Sequence, residues 1–367
     1  MSTISMLRRG VTHLGLDVSK NSIAVGILHP SGEAVDVEKI FADEESVRRL
    51  IGRFPNPRAL RACYEAGPTG YELYRLLERL GVPCDVVAPS LIPTAPGDKV
   101  KTDRRDARRL ARLHRAGELV TIRVPTPAEE GVRDLCRARK VAIADRRRCR
   151  QRLSSFLLRH AEVYRGGSSW TVRHEQWLAA RHFEDPAVAR AFAFYRAEII
   201  ARDATVEAME AELRPWFGHD LFADAVSRLG AYRGVDQLGA LVLAAEVCDW
   251  RRFSSAGVFM GFSGLTPSEY SSGERTRRGH ITHAGNVHVR TQLVESAWAY
   301  RHNPALTVGI RRRQDGLDPQ TCARAWAAQQ RLCQRFKALA ARKDSTNTVI
   351  TAVARELAGF VWAEMIA

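Results

Sequence analysis

The first 124 residues are punctuated in a way that leaves few folds open. Thr12-His-Leu-Gly-Leu-Asp17-Val-Ser alternates as a half-buried strand, Asn21 to Leu28 is apolar and partly β-branched, and the short Lys20-Asn21 gap suits a hairpin. Pro30-Ser31-Gly32 marks another turn, Ala34 to Phe41 (AVDVEKIF) a third strand, and about Asp43 to Arg53 a helix. Leu60 to Glu65 (LRACYE) reads as a fourth strand, broken by Gly67-Pro68-Thr69-Gly70. From there a helix runs to Leu80 with Tyr71, Tyr74, Leu77 and Leu80 on one side, Cys84 to Ala88 forms a fifth strand, and a helix from Asp103 to about Arg115 closes the set. An antiparallel meander continued by strands that alternate with helices is the order of an α/β ribonuclease-H-like fold.

That order gives four acids a common destination. Asp17 lies on the first, central strand, and Glu65 ends the fourth, which is expected beside it and parallel to it. Asp103 and Asp106 open the closing helix, and a spacing of three puts both on one face. They sit in the run Lys99-Val-Lys101-Thr-Asp103-Arg104-Arg105-Asp106-Ala-Arg108-Arg109, two carboxylates inside a cluster of cations. A basic surface suits a polyphosphate, and acids within it make electrostatic sense when a divalent cation lies between them and the phosphate. Two Mg²⁺ (or Mn²⁺) ions roughly 3.5–4 Å apart, clamping the attacking and leaving oxygens of a phosphodiester, need about four such ligands. Singly, each acid also reads as a turn or surface charge; the shared placement makes Asp17, Glu65, Asp103 and Asp106 a candidate metal site. Lys101, Arg104 and Arg105 are then expected on the nucleic acid.

Charge supports that partner: Lys and Arg total 56 against 41 Asp and Glu, a formal +15 carried largely by Arg, whose planar fork suits phosphate. The seven cysteines, at 63, 84, 136, 149, 248, 322 and 333, are scattered without a CxxC or zinc spacing, so a reduced cytoplasm is expected. No signal peptide opens the chain and no apolar run reaches the ~20 residues that cross a bilayer, so no membrane partner is expected.

Pro125 and Pro127 separate residues 1–124 from a helical arm expected over 125–222. Ala128 to Tyr164 reads as helix, and its many cations from Arg133 to Arg152, Arg146, Arg147 and Arg148 among them, are opposed over that stretch by only Asp134 and Asp145. That points to a phosphate-backbone surface, with a solvated helix as the alternative. Gly166-Gly167-Ser-Ser breaks the helix, and Asp185-Pro186 starts a second. Its apolar positions Val188, Phe192, Tyr195, Ile199, Val206, Met209, Leu213 and Trp216 form a heptad seam with Arg202 its single polar interruption. Such a coiled-coil seam packs on the preceding helix or on the same helix of another subunit, and sequence does not choose.

Residues 223–367 read as a mostly α-helical domain. Leu229-Gly230 to Asp236 resembles a helix-hairpin-helix turn, although Asp236 stands where that motif prefers glycine, and a plain helix connection is the better reading. Next comes a serine before glycine, Ser272-Gly273, in a loop flanked by Arg275, Arg277 and Arg278. A serine nucleophile attacking a phosphodiester needs such cations, because they stabilise charge developing on phosphorus.

The stretches GLDVSK (Asp17), YEAGPTG (Glu65), KTDRRDA (Asp103, Asp106) and GLTPSEYSSGERTRRGHITHAGN together resemble the insertion-sequence one-ten family of transposases, relatives of the Piv DNA invertases, over nearly the whole chain. The resemblance implies a RuvC-like domain with an Asp-Glu-Asp-Asp site, a coiled coil, and a C-terminal transposase domain whose catalytic serine is Ser272, with Ser271 adjacent. It further implies recombination of element DNA with a target, a bridge RNA as guide, a homo-oligomer (dimer or tetramer), and a bacterial cytoplasmic enzyme that acts at the nucleoid. Two other readings share residues with it. A RuvC-like structure-specific nuclease or a DNA invertase would use the same acids, the nuclease without the serine. A sugar-kinase or actin-like ATPase also begins Gly-Leu-Asp, but Val18-Ser19-Lys20 lacks the glycine its phosphate loop needs.

Overall fold

The structure is a computed structural model that describes residues 10–93, 102–272 and 275–367. The chain divides into two compact units, with the boundary between Val124 and Pro125.

In the first unit, β1 (Thr12–Val18), β2 (Ser22–Leu28), β3 (Asp36–Phe41), β4 (Leu60–Glu65) and β5 (Cys84–Val87) form one sheet in the order β3-β2-β1-β4-β5. β1 pairs antiparallel with β2 and parallel with β4, so β1 is central, as its run of buried residues requires. Helices α1 (Glu44–Gly52) and α2 (Glu72–Arg79) cover one face, packing Val47, Leu50, Ile51, Leu76 and Leu77 on Leu14, Leu16, Val25, Tyr64 and Val86. Asp43 caps α1 by accepting from the Ser46 backbone N–H at 2.7 Å.

The other face is crossed by α3 (Asp103–Ala116), and two glycines set how closely it lies. A Cβ on Gly15 would stand 2.3 Å from the backbone nitrogen of Ala111, and one on Gly26 2.5 Å from the Ala107 carbonyl oxygen. The helix backbone therefore rests directly on β1 and β2, and its own small residues Ala107 and Ala111 complete the fit. At its far end His114 Nε2 lies 3.0 Å from Asp85 Oδ2 on β5, and its Nδ1 lies 3.3 Å from His13 Nδ1 on β1. These contacts fix the angle and register of α3, and with them the position of its acidic first turn.

The second unit is mostly helical. The long α4 (Pro127–Arg159) opens with a capping box between Thr126 and Glu129. A short α5 (Val172–Ala179) follows, capped by Thr171, where the sequence showed only a breaker. Then α6 (Pro186–Leu213) returns along α4, and the heptad seam is resolved in favour of the preceding helix. Phe192 and Ile199 of α6 pack with Cys149, Leu153, Phe156 and Leu157 of α4, and Leu178 of α5 joins them.

The remaining elements are α7 (Ala223–Gly230), α8 (Gln237–Val247), α9 (Ala256–Ser263), β6 (Pro267–Ser272), β7 (Arg275–Ile281), α10 (Val287–Ala297), α11 (Val308–Gln314), α12 (Pro319–Ala340) and α13 (Thr346–Ile366). Their core gathers Leu241, Ala244, Phe259, Leu293, Leu332, Val353 and Leu357. The described cysteines are all free thiols. Among the described residues no helix is long and apolar enough to cross a membrane.

Candidate functional site

Strand register decides what shares the α3 face of the sheet. Gly15 faces α3, so Asp17, two residues on, faces the same way. Cys63 donates its thiol to the Leu110 carbonyl of α3, which places Glu65 on that face as well. Because β1 and β4 run parallel in register through Leu16 opposite Tyr64, Asp17 and Glu65 come out as neighbours at the carboxyl ends of their strands. Asp17 is paired with Ala24 on β2, and Ala24 with Lys39 on β3, so a lysine stands two strands away in the same row.

Helix α3 begins over this end of the sheet. Thr102 caps it, accepting from the Arg105 backbone N–H, and Asp103 and Asp106 occupy its first turn, where the helix dipole favours negative charge. Asp106 is buried. Its Oδ1 accepts from Arg109 Nη2 at 3.0 Å, while its Oδ2 is enclosed without a hydrogen-bond partner among the described residues. Buried carboxylate oxygens are rarely left in that state, and a cation is a natural partner. Asp103 is exposed, and its Oδ2 lies 3.8 Å from Lys39 Nζ. Four hard oxygen donors suit Mg²⁺ or Mn²⁺, but among the described residues no three His, Cys, Asp or Glu side chains stand together as a group able to hold a metal ion. The fold thus brings Asp17, Glu65, Asp103 and Asp106 to one end of one face without closing them into a ligand set. Asp103 and Asp106 each turn to a cation of the protein instead, Lys39 and Arg109 respectively. Arg104 is exposed on the same first turn, as is Arg105, and Lys101 lies outside the described residues.

The serine expected in a loop belongs to a β-hairpin. Ser272 is the last residue of β6 and pairs with Arg275, Ser271 with Thr276, Tyr270 with Arg277 and Glu269 with Arg278. Gly273 and Glu274, between the strands, lie outside the described residues, as do the side chains of Ser271, Ser272, Arg275 and Arg278; Arg277 is exposed. The hairpin springs from a fixed base. The Asn286 backbone N–H donates to the Phe262 carbonyl at 2.7 Å, and Gly285, at φ +78°, leaves no room for a Cβ beside that same oxygen. The Asn286 side chain caps α10 through the His288 and Val289 N–H groups, and its Nδ2 donates to Glu246 Oε2 at 2.8 Å. Arg137 grips Glu246 with two hydrogen bonds of 2.8 and 2.9 Å. Burial alone would raise the Glu246 carboxyl, but hydrogen bonds from Arg137 and Asn286 outweigh it and hold it below the ordinary carboxylate range.

The arginines of α4 are less available than their number promised. Arg137 is committed to Glu246, Arg139 to Glu210, and Arg146 and Arg150 both to Asp203. Arg148 pairs with Asp145 on its own helix, whereas Arg147 is exposed and has no acidic partner among the described residues. The glycine turn before α8 is a plain helix connection. Asp236 caps α8 itself, accepting from the Gly239 N–H at 2.7 Å, and Gly234 packs against the Ser296 carbonyl.

Lys39, Glu246 and Asn286 were not singled out from the sequence. Glu246 did carry a signal, since it is the single charged residue of the apolar helix Gln237–Val247. Lys39 carried none, because only the register across β1, β2 and β3 brings it near Asp103.

A mixed sheet with acids at the ends of its central parallel pair and at the head of the helix crossing it is consistent with the ribonuclease-H-like DEDD class of nucleic-acid enzymes, here joined to a mostly helical C-terminal region. Residues 14–161 match a family model for the DEDD domain of IS110 elements, described as "Transposase", and residues 226–307 match one described as "Transposase IS116/IS110/IS902 family". The chain is 45% identical over 353 residues to "Putative transposase y4qE" of Sinorhizobium fredii, covering 95% of this chain and 87% of that one. It is 32% identical over 343 residues to "Transposase for insertion sequence element IS1533" of Leptospira borgpetersenii, covering 89% and 96%. A third relative, "Transposase for insertion sequence element IS1328" of Yersinia enterocolitica, is 22% identical over 291 residues. The chain belongs to the IS110 family of insertion-sequence transposases.

Proposed function

We propose that this transposase cleaves and exchanges DNA strands under the direction of a guide RNA, using two sets of residues. Asp17, Glu65, Asp103 and Asp106 hold Mg²⁺ or Mn²⁺, and Ser272 is the nucleophile. The observation that carries the first part is the buried Oδ2 of Asp106, without a hydrogen-bond partner among the described residues, on the face shared by Asp17 and Glu65. A divalent ion bound there supplies Lewis-acid stabilisation of charge on the phosphoryl oxygens. For the acids to act together, Asp103 must exchange Lys39 for the ligand set.

The serine is required by bond conservation. Hydrolysis would discard the energy of the phosphodiester, whereas recombination must rejoin the strand to a new partner. The Ser272 oxygen bonds phosphorus, the bond from phosphorus to a deoxyribose oxygen breaks, and that oxygen leaves as a hydroxyl. Attack by a hydroxyl of the other DNA then reverses the step and frees the serine. Arg275, Arg277 and Arg278 bind the phosphate, Lys101, Arg104 and Arg105 bind the flanking backbone, and Arg146, Arg147 and Arg148 of the arm bind nucleic acid away from the chemistry. The partners are donor and target DNA and a bridge RNA, in a homo-oligomer of two or four chains, acting in the bacterial cytoplasm at the nucleoid. The α6 seam is covered by α4 of the same chain, so subunits join through other surfaces.

Trapping tests the chemistry. Protein, guide and DNA are mixed, denatured, and digested, and DNA attached to the peptide containing Ser272 is the expected product. A Ser272→Ala protein that still recombines refutes the nucleophile. Asp17→Asn should reduce cleavage by orders of magnitude while DNA binding persists, and full cleavage by that variant refutes the metal site.

A further inference from the structure

The arm carries a cavity that neither set of catalytic residues explains. One face of α4 presents Arg146, Arg147, Arg150, Gln151 and Ser154, spaced by threes and fours, and Trp170 completes the wall of a groove of about 820 Å³. Among the described residues no carboxylate lines it. Trp170 follows the Gly166-Gly167-Ser-Ser break and holds a left-handed backbone, φ +65°, which bulky L-residues avoid. Its indole is half-buried, resting on the arm core from one side and lining the groove from the other.

The groove offers two recognition elements together. The Arg150 guanidinium lies 5.0 Å over the Trp170 ring, so the pair forms a flat cationic stack. Both Arg150 and Arg146 donate to Asp203, at 3.0 and 3.3 Å, which fixes their forks in advance. One carboxylate against two guanidiniums leaves a positive charge, and exposed Arg147 adds another. A planar π-surface beside fixed cations whose one shared carboxylate leaves net positive charge suits a nucleobase attached to a phosphate. A base inside a duplex already stacks on its neighbours and cannot present its face to an indole.

We infer that this groove binds an unpaired nucleotide of a nucleic-acid strand, its base stacked on the Trp170–Arg150 pair and its phosphate on Arg147. The inference deepens the proposed role of the arm in nucleic-acid binding and rests on it. It makes part of that binding selective for single-stranded segments, where charge alone would favour any backbone. RNA and DNA share the recognised chemistry, and a ribose hydroxyl within reach of Gln151 or Ser154 is what would separate them.

The test uses full-length protein and fluorescence anisotropy with labelled single-stranded RNA, single-stranded DNA and a blunt DNA duplex of one sequence, at fixed salt. Trp170→Ala should weaken single-strand binding roughly 5- to 100-fold, the loss of about one stacked base, and change duplex binding less than about twofold. Trp170→Phe should recover most of the loss. Equal effects on RNA and DNA support recognition through the base alone, and a larger effect on RNA adds contact with the ribose. Unchanged single-strand binding, or equal losses for strand and duplex, overturns the inference. Because Trp170 also packs on the arm core, photocrosslinking of unaltered protein to 5-bromouracil-containing strands gives a second reading. Adducts on Trp170 support the site, and adducts confined to other residues overturn it. If neutralising Arg146, Arg147 and Arg148 leaves all binding unchanged, the broader reading of the arm fails. If that change weakens binding while Trp170→Ala does not, only the groove fails.

Discussion

Glu364 is a fully buried carboxylate in the last helix, and replacing it with glutamine should selectively unfasten the C-terminal domain. Arg324 donates to it at 2.6 and 2.9 Å, Arg228 Nε at 3.1 Å, the Thr321 hydroxyl at 2.9 Å and the Tyr232 hydroxyl at 3.1 Å. Burial works against the charge, but hydrogen bonds from Arg324, Thr321 and Arg228 win and lower the carboxyl from an ordinary 4.5 to about 2. The folded value lies below the unfolded one, so between them the unfolded chain binds more protons. Stability from this group is therefore complete above pH 4.5 and lost as pH falls towards 2. At 1.36 kcal/mol for each pH unit across that interval the contribution is about 3 kcal/mol, of which about 2 kcal/mol is gone by pH 3. Glu364→Gln removes the charge and also faces its amide N–H groups towards donors, so at pH 7 it should cost about 3 kcal/mol, or roughly 1 M in the urea midpoint. All seven tryptophans lie between residues 170 and 362, so their fluorescence reports the second unit alone. The gap between wild type and variant should be wide at pH 7 and about two-thirds closed at pH 3. A gap that is the same at both pH values, or under about 1 kcal/mol at pH 7, would refute the reasoning.

Two perturbations probe the first unit. Gly15→Ala puts a methyl 2.3 Å from the Ala111 backbone nitrogen and must lift α3, costing about 1–3 kcal/mol and faster hydrogen exchange in β1. Because Asp106 rides on α3, Mn²⁺ binding should weaken with it, and normal exchange with normal affinity would show that the helix accommodates the methyl. Lys39→Gln releases Asp103 from its exposed ion pair and should tighten Mn²⁺ binding about two- to fivefold by calorimetry, the scale of a surface pair. An unchanged or weaker affinity would mean that Lys39 does not compete for Asp103.

The architecture of the first unit was legible because its signals are local. Turn residues at 30–32 and 67–70 and alternating apolar residues mark elements within a residue or two, and the run from Asp103 to Ala116 carries its own cap and termination signals at Thr102 and Gly117. From element order alone the acids of β1, β4 and α3 fall at one end of one face. The state of each acid was not legible. That Asp106 is buried with an unmatched oxygen follows from α3 lying on Gly15 and Gly26, and that Asp103 turns to Lys39 follows from a register spanning three strands. Neither dependence leaves a trace in the spacing of the acids themselves.

Charge on the arm illustrates the other limit. From Arg133 to Arg152 the sequence sets two acids against many arginines, yet Arg137, Arg139, Arg146 and Arg150 are answered by Glu246, Glu210 and Asp203, which lie 53 to 109 residues away. Helical periodicity predicts which arginines share a face but not what that face meets. Apolar spacing marks the seam but not its partner; once α6 folds back on α4, Asp203 and Glu210 of α6 reach the α4 arginines flanking the seam. Arg147 escapes because no acid of the returning helix pairs with it. The fold that answers most of these arginines thus leaves Arg147 exposed on the face that Arg146, Arg150 and Trp170 share, so that a stretch basic throughout in sequence becomes a surface differentiated around a groove.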